Sequence, residues 1–144
     1  MQAACGLAQL ARLDDFVQKR KDNFNYLKTK LQECNEFLIL PEATPNSEPS
    51  WFGFPITIKE SAGFTRGELL TYLDDNKVGT RLLFAGNVTK QPYMQGRNYR
   101  VVGELTNSDR IMSQTFWVGI YPGLTEEMLD YTAEIIGQFC GVGF

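Results

Sequence analysis

Val78–Tyr93, VGTRLLFAGNVTKQPY, and Ser108–Thr125, SDRIMSQTFWVGIYPGLT, decide the fold of this chain. Each holds a short apolar run beside glycine, Gly79–Ala85 in the first and Thr115–Tyr121 in the second. Phe116, Val118 and Ile120 fall on one side of the second run, the period-two pattern of a strand with one buried face. Upstream, Phe52, Phe54, Ile56 and Ile58 alternate with Gly53, Pro55, Thr57 and Lys59, which predicts a further half-buried strand over Trp51–Lys59. Pro55 lacks a backbone donor, so that strand should lie at an edge or a bulge.

Helical patterns surround these strands. Leu7, Leu10, Leu13, Phe16, Val17, Phe24, Leu27 and Leu31 recur at helical spacing, predicting one or two long helices over residues 2–34, bent near Asp14–Asp15. Asp15 and Lys19 form an i,i+4 pair on the opposite face. Such a helix is long for a domain of this size, so its apolar stripe should be only partly covered, a surface through which two copies could associate. Pro41, Pro45 and Pro49 mark a loop before the first strand. Thr65 and Glu68 form a capping box that opens a helix to about Asn76. Residues 86–107 read as an extended loop. Thr125-Glu126-Glu127 starts a last helix that should bury Met128, Leu129, Ile135, Ile136 and Phe139. The order helix–strand–helix–strand–loop–strand–helix gives an α+β sandwich, one sheet of about three strands covered by helices. It forms one domain over 1–144, with the helical part at 2–34 and the sheet-and-helix part at 50–140.

Composition narrows the function. The chain has 144 residues, net charge −3 and no histidine. Without histidine there is no Ser-His-Asp or Cys-His unit and no histidine-ligated zinc. Cys5, Cys34 and Cys140 match no paired metal or redox spacing and read as reduced thiols, with no metal site. An acidic chain lacks the basic stripe that nucleic acid requires. No apolar run approaches the ~20 residues of a membrane span, and no signal peptide is evident, so a cytoplasmic protein is expected. Asn87-Val88-Thr89 is formally a glycosylation sequon, of little weight without secretion.

The strings GTRLLFAGN, SDRIMSQTFWVGIYPGL and the opening MQAACGLAQLARLDDF resemble the C-terminal part of the DegT-type, pyridoxal-phosphate-dependent nucleotide-sugar enzymes. The likeness is to the branch that removes the 3-hydroxyl of CDP-4-keto-6-deoxyglucose in lipopolysaccharide sugar synthesis. It implies a mostly antiparallel sheet, as in the small domain of fold-type I pyridoxal-phosphate enzymes. It also implies a parent about three times as long, typically a homodimer. The pyridoxal or pyridoxamine phosphate site, and in some members an iron–sulphur centre held by closely spaced cysteines, would lie in an upstream large domain absent here. Hence no catalytic residue is assigned to this chain, no cofactor is expected on it alone, and alone it should be inactive.

What the resemblance assigns is sugar orientation. Arg81 offers planar donors suited to phosphate or hydroxyls, though position alone would make it an ordinary ion-paired strand arginine. Asn87 and Gln91 fall in the family's substrate-facing loop, whose histidines are missing here; they could bond hexose hydroxyls, or be a turn asparagine and a solvated glutamine. Arg110 resembles a residue at the edge of the active site; otherwise it is a surface arginine beside Asp109. Phe52 stands where the family's sugar aminotransferases commonly have histidine, which favours the 3-dehydrase branch; otherwise it is a core aromatic. Gln114 and Trp117 are weaker candidates, Trp117 more a packing residue than a stacking one. The alternatives are the small domain of a sugar aminotransferase and a stand-alone protein-interaction module.

Overall fold

The structure is a computed structural model and describes residues 1–143. Two helices come first, α1 (Gln2–Leu10) and α2 (Leu13–Lys30), followed by a 3-10 turn at Leu31–Glu36 and a two-residue strand β1 (Leu38–Ile39). Strand β2 (Gly53–Ile58), helix α3 (Arg66–Asp75) and strand β3 (Thr80–Leu82) follow. Helix α4 (Thr106–Gln114), strand β4 (Thr115–Gly119) and helix α5 (Glu126–Cys140) complete the chain. The sheet is antiparallel throughout, in the order β1-β2-β4-β3. The α+β class holds, with four strands where three were read. The fourth is β1, too short for periodicity to reveal.

One sheet face carries the core. Phe54, Ile56 and Ile58 of β2 and Phe116 and Val118 of β4 are buried there with Ile120. Against them pack Phe24 and Leu27 of α2, Leu69 and Leu73 of α3, and Leu129, Ala133 and Ile136 of α5. Met128 was expected inside with them but is half exposed, since it lies on the solvent side of the first turn of α5. Phe52 also departs from its expected place. Burial follows the alternation from Phe54 to Ile58, whereas Phe52 precedes the strand, turns the other way and is 62% exposed.

Pro55 shows how local an edge can be. By order β2 is an interior strand, which the proline argued against. The Ile120 amide donates to the Phe52 carbonyl at 2.9 Å, so the hydrogen-bonded pairs with β4 are the even-numbered ones of β2. The Pro55 nitrogen therefore points toward β1, which pairs only with Thr57 and Ile58. No ladder donor is missing, because no partner strand reaches that point.

The helical start is also broken elsewhere than expected. α1 ends at Leu10 and α2 starts at Leu13, so the interruption falls at Ala11–Arg12 rather than at Asp14–Asp15. α1 has no buried residue, and Leu7 is 71% exposed. Among the described residues no helix is long and apolar enough to cross a membrane.

The capping box of α3 is fully formed. Thr65 Oγ1 accepts from the Glu68 amide, and the Glu68 carboxylate accepts from the Thr65 amide at 2.7 Å. Those bonds hold the Glu68 carboxyl below the usual carboxylate range. We expect Thr65→Ala to cost about 1 kcal/mol of stability in urea unfolding, as N-cap removal typically does. An unchanged midpoint would mean that tertiary packing, not the cap, sets this helix start.

Candidate functional site

The other sheet face builds the candidate site. Pro55 and Arg81 both stand in register with Trp117, so the three side chains leave the same face, opposite the core. At one end of this face Thr57 and Thr115 share a 2.7 Å hydroxyl hydrogen bond and lie under α4. At the other end the face is open and aromatic. Phe52 sits edge-on to Trp117, ring centroids 5.3 Å apart. A shallow cavity of about 110 Å³ lies there, walled by Phe52, Gly53, Pro55, Leu83, Phe84 and Trp117. Gly53 is small for a reason: a Cβ on it would come within 2.5 Å of the Trp117 indole. Phe84 leaves 80% of its surface in water beside this cavity.

Arg81 is exposed on β3, an edge strand, and its Nη1 donates back to the Thr80 carbonyl at 2.8 Å. Leu82, at the end of this edge strand, and Phe84, beyond it, are both exposed, and Leu83 between them is half-buried. Gln91 is half-buried, and its Nε2 donates to the Ala85 carbonyl at 2.9 Å, closing the loop after β3 on itself. Asn87 is 3% exposed. Its Oδ1 accepts from the Thr89 amide at 3.0 Å and from the Thr89 hydroxyl, capping the 3-10 turn Val88–Lys90, and its Nδ2 donates to Asp109 at 2.7 Å. The asparagine thus holds the loop in place instead of standing open to a ligand.

Helix α4, like β1, went unread in the sequence, and it organises this side of the molecule. With nine residues and no buried one, it offers no apolar stripe to read. The Thr106-x-x-Asp109 spacing, which looks like a helix start, was the available signal. Neighbouring side chains on α4 diverge. Arg110 reaches Glu60, beyond β2, at 3.4 Å, rather than the Asp109 beside it. Asp109 instead takes Asn87 and the Lys90 ammonium, at 2.9 Å, on one carboxylate oxygen. These two donors, Lys90 first, hold its carboxyl below the usual range. Arg66, the first residue of α3, donates to the Met112 and Thr115 carbonyls at 2.8 and 3.0 Å and ties down the last turn of α4.

Among the described residues no hydrogen bond joins any two of Phe52, Arg81, Asn87, Gln91 and Arg110. The structure sets Phe52 and Arg81 on the open face, Asn87 and Gln91 in the adjoining loop, and Arg110 on the far flank of α4. A larger groove of about 510 Å³, between Lys77, Tyr121, Met128 and Tyr131, holds none of them. Asp109, Lys90, Arg66 and Gly53 were not singled out beforehand, since each acts through a contact remote in sequence.

The aromatic cavity has no lysine or carboxylate among its walls. Among the described residues no cluster of histidine, cysteine, aspartate and glutamate could hold a metal ion. Cys5 is exposed, whereas Cys34 and Cys140 are buried, and Cys140 has its thiol pushed up by its hydrogen bond to Cys34 and by burial.

Residues 1–137 match the model of the DegT/DnrJ/EryC1/StrS aminotransferase family. The chain is 65% identical over 144 residues to the lipopolysaccharide biosynthesis protein RfbH of Salmonella typhimurium, all of the chain against 33% of that protein. It is 48% identical over 139 residues to dTDP-4-dehydro-2,6-dideoxy-D-glucose 3-dehydratase of Saccharopolyspora spinosa, 96% of the chain against 30% of the relative. Among solved structures, GDP-4-keto-6-deoxy-D-mannose-3-dehydratase of E coli, with bound hydrated PLP, superposes with a TM-score of 0.81 at 26% identity. That match covers 91% of this chain and 33% of the other. The chain thus spans about a third of the length of the curated relatives it matches.

Proposed function

Because this chain belongs to the DegT/DnrJ/EryC1/StrS aminotransferase family, we propose that it is the sugar-orienting domain of a nucleotide-sugar 3-dehydratase in lipopolysaccharide synthesis. Its substrate is CDP-4-keto-6-deoxyglucose. One observation carries the reading: the similarity to a named 3-dehydratase runs along 96% of the chain at 48% identity. Phe52 supports it, because a phenyl ring cannot relay a proton as the histidine common at that place in the aminotransferases can.

In this reading the open face meets the hexose. Trp117, Phe52 and Phe84 offer apolar surface to the sugar ring, and Arg81 offers charged donors to hydroxyls or phosphate. Gln91 bonds hydroxyls from the loop, and Arg110 lies at the rim. Fixing the sugar's orientation contributes to rate by removing rotational freedom before the reaction. The cofactor belongs to residues outside this chain, and no step is assigned to it here.

The test is a hybrid in which these 144 residues replace the matched third of RfbH. With pyridoxamine phosphate and a reductase it should consume CDP-4-keto-6-deoxyglucose in preference to the dTDP and GDP counterparts. Arg81→Ala should weaken sugar use by about ten- to a hundredfold, the loss of a charge-assisted hydrogen bond. An amino sugar formed from glutamate would establish the aminotransferase instead. An inert but folded hybrid would favour an interaction module.

A further inference from the structure

We propose that Asp109 is a positioning residue, a latch on α4 that holds the loop after β3 in the shape that presents Gln91 to a sugar. This rests on the sugar-orienting role proposed above. Asn87 and Lys90 belong to the same 3-10 turn, and both donate to the one Asp109 oxygen, at 2.7 and 2.9 Å. Asn87 has no solvent to turn to, so without Asp109 its buried amide donor is left unpaired, an unfavourable state. The backbone bonds of the turn run through the same residues. The Lys90 amide donates to the Asn87 carbonyl at 3.1 Å, and the Gln91 amide to the Val88 carbonyl at 3.1 Å.

The latch has a fixed base. Arg66 clamps the last turn of α4 to β4, so Asp109 stands on an element tied to the sheet. Three contacts then join loop to helix, Asn87 and Lys90 with Asp109 and Gly86 with Met112. Asp109 itself does not touch the open aromatic face; it acts through the loop.

Amide hydrogen exchange on the full chain reads the latch directly. In Asp109→Ala the amides of Thr89, Lys90 and Gln91 should exchange about tenfold faster or more, the equivalent of leaving a buried donor unpaired. Those of α3 and α5 should keep their rates. Asp109→Asn combined with Lys90→Met should restore slow exchange, because an amide oxygen at 109 still accepts from Asn87 and no ammonium is left unpaired. In the hybrid enzyme Asp109→Ala should raise KM for the sugar with little change in kcat.

Unchanged loop exchange in Asp109→Ala overturns the latch, and faster exchange throughout the chain makes Asp109 a general stability residue. A loop that opens without moving KM removes the positioning role. A raised KM with a closed loop would mean that Asp109 meets the sugar itself. If the hybrid with the natural residues uses no sugar, the sugar-orienting reading fails on its own, while the exchange result still decides the latch.

Discussion

Phe54→Ala should cost about 3–5 kcal/mol, the usual range for emptying a fully buried phenylalanine site. Phe54 has no solvent exposure and packs its ring 4.8 Å from Phe24, which in turn stacks on Trp51 at 4.9 Å. It is the second residue of β2, and its ring is enclosed between the sheet and Phe24 of α2, so its removal leaves a cavity in a packed core. Set against a typical total of about 5–15 kcal/mol, such a loss brings the domain near unfolding. Phe54→Leu keeps more of the volume and leaves a folded protein in which the cost can be measured by urea titration. Phe52→Leu is the control. Being mostly exposed, it should leave the midpoint close to that of the natural chain while altering the aromatic cavity. Equal losses at 52 and 54 would show that both rings belong to one core.

That pair also shows where the sequence was legible. Alternation treats Phe52 and Phe54 alike, because a period of two carries no information about where a strand begins. The strand begins at Gly53, so the rule applies to Phe54, Ile56 and Ile58 and stops there. Capping chemistry was more local and more readable: Thr65 and Thr125 open α3 and α5 as their hydroxyls indicate. Order and class followed from long periodic segments. What stayed hidden was short or tertiary. β1 has two residues and α4 no buried face, so neither leaves a pattern.

The same division governs the site. Arg81 and Gln91 were visible as polar groups that a core does not need. Asn87 looked equivalent to them, yet burial gives it an inward task that only the arrival of Asp109, 22 residues later, explains. Trp117 was read as packing. It does pack, edge-on to Phe52 and over Gly53, and its register between Pro55 and Arg81 puts that packing on the open face. Alternation already puts Trp117 on the face opposite Phe116 and Val118, but which residues meet it from β2 and β3 follows only from the assembled sheet.

Gly86→Ala should undock the loop from α4 at a cost of about 2–4 kcal/mol, combining left-handed strain with overpacking. Two separate constraints act at this position. Gly86 has φ +65°, where an L side chain is strained. A Cβ there would also stand 2.7 Å from Met112 Cγ and 2.8 Å from Met112 Cα. The Cγ could rotate away, but the Cα belongs to a helix that Arg66 clamps, so the loop must give rather than the helix. Gly96 separates the two effects. Its φ of +73° carries the same strain, and nothing lies within 4 Å of its Cβ position. Gly96→Ala should therefore cost only about 1 kcal/mol in urea unfolding. Gly86→Ala should lose more, and it should open the amides of Thr89–Gln91 where Gly96→Ala leaves them closed. Because the loop rather than the core yields, most of the added cost should appear as local opening, with the amides of α5 protected as before. If the two variants behave alike, backbone strain alone accounts for both glycines. The contact with Met112 would then not be what seats the loop, and Asp109 would have to hold it without help.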